Sequence, residues 1–303
     1  MLRSGAMSRD LIGYALHPPQ VKWPNDARLA ISLVLNYEEG AELCVGDGDP
    51  EGERVGEFVY PSMDSHTRDL GIESTFEYGA RVGAWRVLRL FDDYNVKSTI
   101  YACGRALERN PVIAREFTSR GHEPAGHGYR WVDHFRMSRD HEREQIRSAV
   151  ASIASATGQR PVGWYSRYAP SVHTRELLVE EGGFEYDSDS YADELPYWVR
   201  VDDRPHLVIP YQLDANDAKF FRGPGWSGAG EFWEYLRDSV DCLRREGKTT
   251  PRMLSIGLHG RIIGRPGRAT ALERFLEYCR PLSDVWFARR VDIARWWREH
   301  HAP

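Results

Sequence analysis

Residues 30–40 read Ala-Ile-Ser-Leu-Val-Leu-Asn-Tyr-Glu-Glu-Gly, and the interpretation of the rest of the chain starts from this stretch. The apolar run at 30–35 predicts a buried strand, because strands covered on both faces show continuous aliphatic sequence. The run ends in Asn36, a tyrosine and the adjacent carboxylates Glu38 and Glu39. Carboxyl ends of parallel strands gather chemical groups, so this tip is a candidate for acid–base residues. A polar strand exit without a chemical role explains the segment equally well.

Strand-like and helix-like patterns alternate along the chain after this point. The apolar residues of 74–92 recur at about three-residue intervals, which predicts an amphipathic helix, and residues 253–258 are strongly strand-like. The alternation continues without a break in composition, so we predict a single barrel-like α/β domain over residues 30–303. Residues 1–29 lack periodicity and predict an irregular arm on the surface. Residues 40–69 predict a loop too polar to pack, acting as a pocket lid or an oligomer contact.

The overall composition excludes several classes of partner. The chain has 40 Lys and Arg against 45 Asp and Glu, mixed along its length, which argues against binding to nucleic acid or an anionic membrane. No uninterrupted apolar window approaches the length of a membrane span, and we expect a cytoplasmic protein. The four cysteines are widely spaced, which makes zinc binding through cysteine improbable.

Proton-transferring or polar side chains follow several predicted strands. His127 lies between two glycines, Arg167 lies in the loop that begins at Tyr165, and His259 follows Leu258. One histidine after a strand is usually structural, but repetition at equivalent exits favours a joint active site. Residues 186–193 concentrate carboxylates and hydroxyls, with Asp189 either orienting a substrate or forming a turn. The basic segment that begins at Gly260 is interpreted by default as a surface turn, with an anion-binding loop as the alternative.

These residues carry a resemblance to a known family. Residues 37–40, His127 with its glycines, the Arg167 loop, residues 186–188 and Leu258-His259 resemble, in order, the motifs of the polysaccharide deacetylase (NodB-like) family. The longer runs at 34–40, 179–184, 186–193 and 211–216 look like the metal-independent allantoinase branch, with the cyclic imide hydrolases as neighbours. The resemblance covers about residues 30–290. It implies a distorted (β/α) barrel, hydrolysis of an amide, an acidic base at the first motif, a histidine acid at the last, and a homo-oligomer.

The departures from the family pattern concern its metal. The resemblance to the wider family implies a divalent metal held by an aspartate and a His-x-x-x-His pair. In this chain, however, the residue four positions after His127 is Trp131. Glutamates also replace the aspartates of the first motif. We therefore expect no cofactor; a divalent metal such as zinc, if bound, would use Glu39 and His127 with a third ligand such as His122 or His134. Trp131 also suggests a flat, apolar pocket that suits a small planar ring.

The sequence therefore predicts a hydrolase that opens the C–N bond of a small cyclic amide, ureide or imide. Glu38 or Glu39 would activate water with a raised proton affinity, and strand alternation favours Glu38. His259 or His127 would protonate the departing nitrogen, with Arg167 among the donors to the carbonyl oxygen. The expected substrate contacts are Asn36, Trp131, Tyr165, Arg167 and Asp189. Two alternatives remain: a metal-dependent N-deacetylase of polysaccharides or amino sugars, and an inactive binding protein on the same barrel.

Overall fold

A fully buried strand, Leu29–Tyr37 (β1), is paired with parallel strands along both of its edges. The computed structural model describes residues 9–57 and 63–303. Both faces of β1 are covered by protein, which explains its continuous aliphatic sequence. The strands after it are Thr99–Ala102 (β2), Glu123–Gly126 (β3), Gly163–Trp164 (β4), Tyr186–Asp187 (β5), Tyr197–Val201 (β6), Arg204–Val208 (β7), Arg252–His259 (β8) and Val285–Phe287 (β9).

The strands form one curled, mainly parallel sheet. Their order is β6-β7-β5-β4-β3-β2-β1-β8, with β9 pairing with the beginning of β1. β6 and β7 pair antiparallel, whereas the pairs along β1 are parallel. The sheet curls into an open half-barrel of the NodB deacetylase type, which confirms the predicted α/β fold. The carboxyl ends of β1, β3 and β8 therefore meet at one end of the barrel.

Helices surround the sheet and begin at side-chain caps where the sequence supplies them. They are Leu70–Tyr78 (α1), Ala84–Asp93 (α2), Gly104–Arg109 (α3), Pro111–Ser119 (α4), Arg139–Thr157 (α5), Thr174–Glu181 (α6), Ala229–Glu246 (α7), Pro266–Cys279 (α8) and Arg290–His300 (α9). Asp69, Asn110 and Ser138 accept backbone N–H bonds at the first turns of α1, α4 and α5. No helix among residues 9–57 and 63–303 is long and apolar enough to cross a bilayer.

The predicted helix at 74–92 is interrupted by a π-helical turn. Residues Gly79–Gly83 form this turn between α1 and α2. A Cβ at Gly83 would overlap the carbonyl group of Gly260, and a Cβ at Gly79 would overlap the Glu39 side chain. The two glycines thus allow the backbone to approach the strand exits closely. Wider turns of this kind occur often at functional sites.

Two predictions about irregular segments need correction. The arm is irregular over residues 9–23, but Val21 and Trp23 pack in the core rather than on the surface. The loop at 40–69 is not too polar to pack, because Glu53 is buried and Arg130 binds the carbonyl groups of Ala41 and Glu42. The carboxylates of Glu42 and Glu53 are buried with hydrogen-bonding partners, which the sequence pattern alone does not reveal. Residues 1–8 and 58–62, which belong to these two predicted segments, lie outside the described residues.

A buried arginine spans the gap between β8 and the end of β7. Arg290, at the start of α9, is fully buried. Its guanidinium donates to the hydroxyls of Ser188 and Ser255 and to the carbonyl oxygens of Ile209 and Pro210. Backbone and hydroxyl acceptors therefore satisfy this buried charge, and one side chain links β8 to the segments that follow β5 and β7.

Candidate active site

Three predicted residues from three strand exits meet around one carboxylate. Glu38 follows β1, His127 follows β3 and His259 ends β8. Glu38 Oε1 lies 3.1 Å from His127 Nε2 and 3.5 Å from His259 Nε2. All three side chains are buried, with Glu38 1% exposed. The predicted joint site at the strand exits is therefore present as a geometric cluster.

The Nδ1 contact of each histidine fixes the orientation of its ring. His127 Nδ1 lies 2.6 Å from the carbonyl oxygen of Tyr165, which can only accept, so Nδ1 carries a hydrogen. His259 Nδ1 lies 2.6 Å from Asp217 Oδ1. The other Asp217 oxygen accepts the backbone N–H groups of His259 and Ile263. Both rings are therefore oriented with Nε2 toward Glu38, and the Asp217–His259 pair resembles the orienting pair of a catalytic dyad.

A third group, Arg261, places a positive charge against the glutamates. Its Nη2 lies 2.6 Å from Glu38 Oε2, although the pair is not aligned as a hydrogen bond, and its Nη1 lies 3.7 Å from Glu39 Oε1. Arg261 is 6% exposed. The guanidinium also lies over the rings of Phe76 and Trp131, at 4.4 and 5.1 Å. It is a buried cation rather than part of the surface turn assumed from the sequence.

The two adjacent glutamates have different environments. Glu38 lines the cavity, whereas Glu39 faces the π-turn at Gly79 and accepts the backbone N–H of Glu38 at 3.0 Å. Burial raises the pKa of Glu38, but Arg261, His259 and His127 outweigh it and hold the pKa well below its usual range. Burial dominates for Glu39 and raises its pKa. The predicted raised proton affinity is therefore wrong for Glu38, because three cationic or hydrogen-bonding partners offset its desolvation.

A further pKa shift in this cluster concerns the buried imidazole of His259. Burial alone would lower the pKa of its imidazole, but the carboxylates of Asp217 and Glu38 outweigh this effect and raise the pKa to about 9. The ring is therefore protonated at neutral pH and can donate from Nε2. A buried carboxylate base beside a protonated imidazole is an arrangement suited to general acid–base chemistry.

The cluster lies at the floor of a cavity of about 660 Å³. This volume lies within the range of small-molecule sites. Six aromatic side chains are among the residues that line it: Trp131, Phe135, Tyr165, Tyr168, Tyr211 and Phe221. Tyr165 stacks on His127 with the rings 5.3 Å apart and nearly parallel. The cavity therefore combines aromatic side chains with the charged groups around Glu38.

Several predicted substrate contacts line this cavity. Trp131, Tyr165 and Asn36 are among its lining residues, with the Asn36 amide donating to the Tyr211 hydroxyl and to the Leu258 carbonyl. Asp189 lies behind the wall, where its carboxylate binds the backbone N–H and hydroxyl of Ser166. We therefore find Asp189 holding the loop that carries Tyr165 rather than facing the cavity.

Arg167 lines the cavity but is engaged by neighbouring protein groups. Its guanidinium contacts both carboxylate oxygens of Glu53, at 2.7 and 3.0 Å, and the carbonyl oxygen of Trp131. It also stacks on the Trp131 ring at 3.9 Å. These contacts indicate that Arg167 holds Trp131 in the cavity wall, rather than acting as a free donor to a substrate oxygen.

The donor set does not fit the divalent metal that the family resemblance implies. No three His, Cys, Asp or Glu side chains within the described ranges form a group that could hold a metal ion. Position 131 brings an indole, and Arg261 would repel a cation beside Glu38. The two alternative histidines lie elsewhere, His122 bonded to Ser98 and His134 to Glu142. The metal independence expected from the sequence stays a prediction.

Two residues of this cluster were missed in the sequence. No sequence pattern assigns a role to Asp217, and Arg261 falls within the basic segment interpreted as a surface turn. Arg261 becomes buried because Gly83, Gly260 and Gly264 bring two distant segments into backbone contact. A pattern of glycines on both sides of a charged residue next to a strand-exit histidine was the available signal.

Comparisons with known proteins agree with this geometry. The polysaccharide deacetylase family profile matches residues 64–186. A chain from Schizosaccharomyces pombe (strain 972), which carries a polysaccharide deacetylase name, is 37% identical over 97% of this chain and 98% of its own length. A crystal structure from Pseudomonas aeruginosa PAO1 with a similar name is 49% identical, with a TM-score of 0.92 and coverage of 97% and 98%. The crystal structure of Puue allantoinase is 46% identical, with a TM-score of 0.93 and the same coverage.

Three observations define the class of this protein. They are the topology of the sheet, the acid–base residues at the strand exits, and the relatives that match almost the whole chain. This chain belongs to the polysaccharide deacetylase (NodB-like) family. The family is hydrolytic, and one of its structural neighbours is an allantoinase.

Proposed function

We propose that this protein is a hydrolase that opens the C–N bond of a small cyclic amide, either an allantoin-like ureide or a cyclic imide. The observation that carries the proposal is the position of the Glu38 carboxylate between His127 and the protonated His259 at the floor of an aromatic cavity. Water activation and leaving-group protonation need one base and one acid within reach of the same substrate bond.

In the proposed reaction, Glu38 accepts a proton from water as the water oxygen attacks the ring carbonyl carbon. The low pKa of Glu38 keeps it ionised at neutral pH, at a cost in basicity. His259 Nε2 then donates its proton to the ring nitrogen as the C–N bond breaks, while Asp217 holds the imidazole in place. The product is one opened molecule with a carboxylic acid and an amide or amine N–H, and the proton held by Glu38 returns to His259 Nε2, 3.5 Å away, so both groups regain their starting states.

The cavity supports a ring with a substituent. Six aromatic side chains line the cavity, and about 660 Å³ exceeds what a bare five-membered ring fills. A side chain such as a ureido group would occupy the remaining space. The allantoinase neighbour at 46% identity supports the same class of substrate for this chain.

A substrate panel tests the proposal. Purified protein is incubated with allantoin, hydantoin, succinimide, dihydrouracil and an N-acetylated chito-oligomer, each with and without EDTA. We expect ring opening of at least one cyclic compound, with the rate unchanged by the chelator. Glu38→Gln should abolish that turnover, whereas Arg268→Ala, outside the cavity, should not.

A second candidate is an N-deacetylase of amino sugars, favoured by the deacetylase names of the S. pombe and P. aeruginosa relatives. The cavity could admit one sugar residue by volume. Hydrolysis of the chito-oligomer alone, with one bound metal per chain and loss of activity in EDTA, would establish this candidate and reject the first. Tight binding of a ring compound without turnover, unchanged in Glu38→Gln and His259→Ala, would instead identify a binding protein.

A further inference from the structure

We infer that the Arg261 guanidinium, a second cation beside the protonated His259, bridges the Glu38 and Glu39 carboxylates and so positions Glu38. The inference deepens the proposed function and rests on it for the role of Glu38. Arg261 is a positioning residue in this assignment, because it acts through Glu38.

The contacts of the guanidinium identify it as a bridge. One terminal nitrogen faces Glu38 Oε2 at 2.6 Å and the other faces Glu39 Oε1 at 3.7 Å. The atoms Glu38 Oε2, Glu39 Oε1 and Arg261 Nη1 are buried and have no hydrogen-bond partner among the described residues. Two adjacent buried carboxylates would repel each other without a cation between them. A planar fork with two nitrogens matches two carboxylates in a way that a single ammonium cannot.

The surroundings hold this cation in place. The Phe76 and Trp131 rings lie against the guanidinium, and such contacts favour a desolvated cation. The backbone that carries Arg261 is fixed by Gly83 and Gly260, which approach so closely that a Cβ at Gly83 would overlap the Gly260 carbonyl. Trp131 therefore has two roles. It stands where the family pattern has a histidine, and its ring covers the Arg261 guanidinium.

An ordinary buried salt bridge would show many of these contacts, so the test must measure the bridging role itself. Arg261→Ala removes the guanidinium, and N-ethylguanidinium reproduces the atoms that are lost. Binding of this probe is measured by isothermal titration calorimetry at millimolar concentration, without any substrate. The matched control is Arg268→Ala, because Arg268 is also a partly buried arginine that pairs with a glutamate, Glu57, and lies outside the cavity.

We expect one saturable N-ethylguanidinium site in Arg261→Ala and none in the wild type, in Arg268→Ala or in Arg261→Ala combined with Glu38→Gln. On the best substrate of the panel, Arg261→Ala should lose about 10²–10³-fold in kcat, and the probe should restore about tenfold. No binding by Arg261→Ala, or equal binding by Arg268→Ala, would overturn the inference.

A conservative variant covers the case in which Arg261→Ala does not fold. Arg261→Lys keeps the charge but cannot reach two carboxylates with a planar fork, so kcat should fall about tenfold while KM changes little. Unchanged kcat in Arg261→Lys would overturn the inference. The two proposals fail separately: probe binding with no turnover of any panel compound leaves the bridge and rejects the hydrolase, whereas turnover unaffected in Arg261→Ala rejects only the bridge.

Discussion

The Asp217–His259 pair gives a prediction whose size follows from the structure. Asp217 is the larger of the two carboxylate influences that raise the pKa of His259 from 6.5 to about 9. At about 1.4 kcal/mol per pKa unit, this difference corresponds to about 3 kcal/mol in favour of the protonated imidazole. In Asp217→Asn this stabilisation is largely lost, and the new amide can present N–H rather than oxygen to Nδ1. The pKa of His259 should therefore fall, and its Nε2 should no longer carry the catalytic proton at neutral pH.

The assay is kcat/KM against pH on the best substrate of the panel, together with an NMR titration of the His259 ring. The wild type should lose activity on the basic side near pH 9, whereas Asp217→Asn should lose it at lower pH and be up to about a hundredfold slower at neutral pH. Asp214→Asn is the control, because Asp214 binds the Tyr235 hydroxyl and should leave the profile unchanged. A basic limb at the same pH in Asp217→Asn would refute the assignment of His259 as the acid.

Three further predictions follow from the same geometry. Glu38→Gln should lower kcat by about 10²–10⁴-fold with little change in substrate Kd, measured by single-turnover kinetics and calorimetry; near wild-type kcat would remove Glu38 as the base. Gly83→Ala should lower the free energy of unfolding, measured by urea denaturation, by about 1–3 kcal/mol, because the added methyl group would overlap Gly260. Gly230→Ala, which has open space around it, should leave the free energy of unfolding unchanged. Equal stabilities of the two variants would contradict the close packing. The pKa of His259 is raised in the folded state, so protonated His259 stabilises the fold fully below pH 6.5 and this contribution is lost as pH rises through about 9. The free energy of unfolding should therefore fall by up to about 3 kcal/mol over that pH range. His259→Gln should show a smaller fall over the same range.

The sequence predicted those parts of the site that depend on strand periodicity. The run at 30–35 is buried in β1, and the residues at the exits of β1, β3 and β8 do meet around Glu38. This worked because the direction of parallel strands brings their carboxyl ends together, whatever the intervening loops do.

The sequence did not reveal which charged side chains are buried against each other. Arg167 was expected to donate to substrate, but Glu53 occupies its guanidinium from a loop that looked too polar to pack. Arg261 looked like surface charge until glycine contacts with a helix about 180 positions earlier enclosed it. Charge pairing across such distances depends on tertiary packing, which local periodicity does not encode.

The pairing of β1 with β8 also has a consequence for biosynthesis. Leu35 pairs with Leu258, so the partner along one edge of β1 is made roughly 220 positions after β1 itself. Until β8 emerges from the ribosome, a mostly apolar strand has one unpaired edge, and such edges promote association between chains. We therefore expect the strand that precedes the proposed base Glu38 to need protection by a chaperone during synthesis. A chain that ends before residue 252 should aggregate rather than accumulate as a folded fragment.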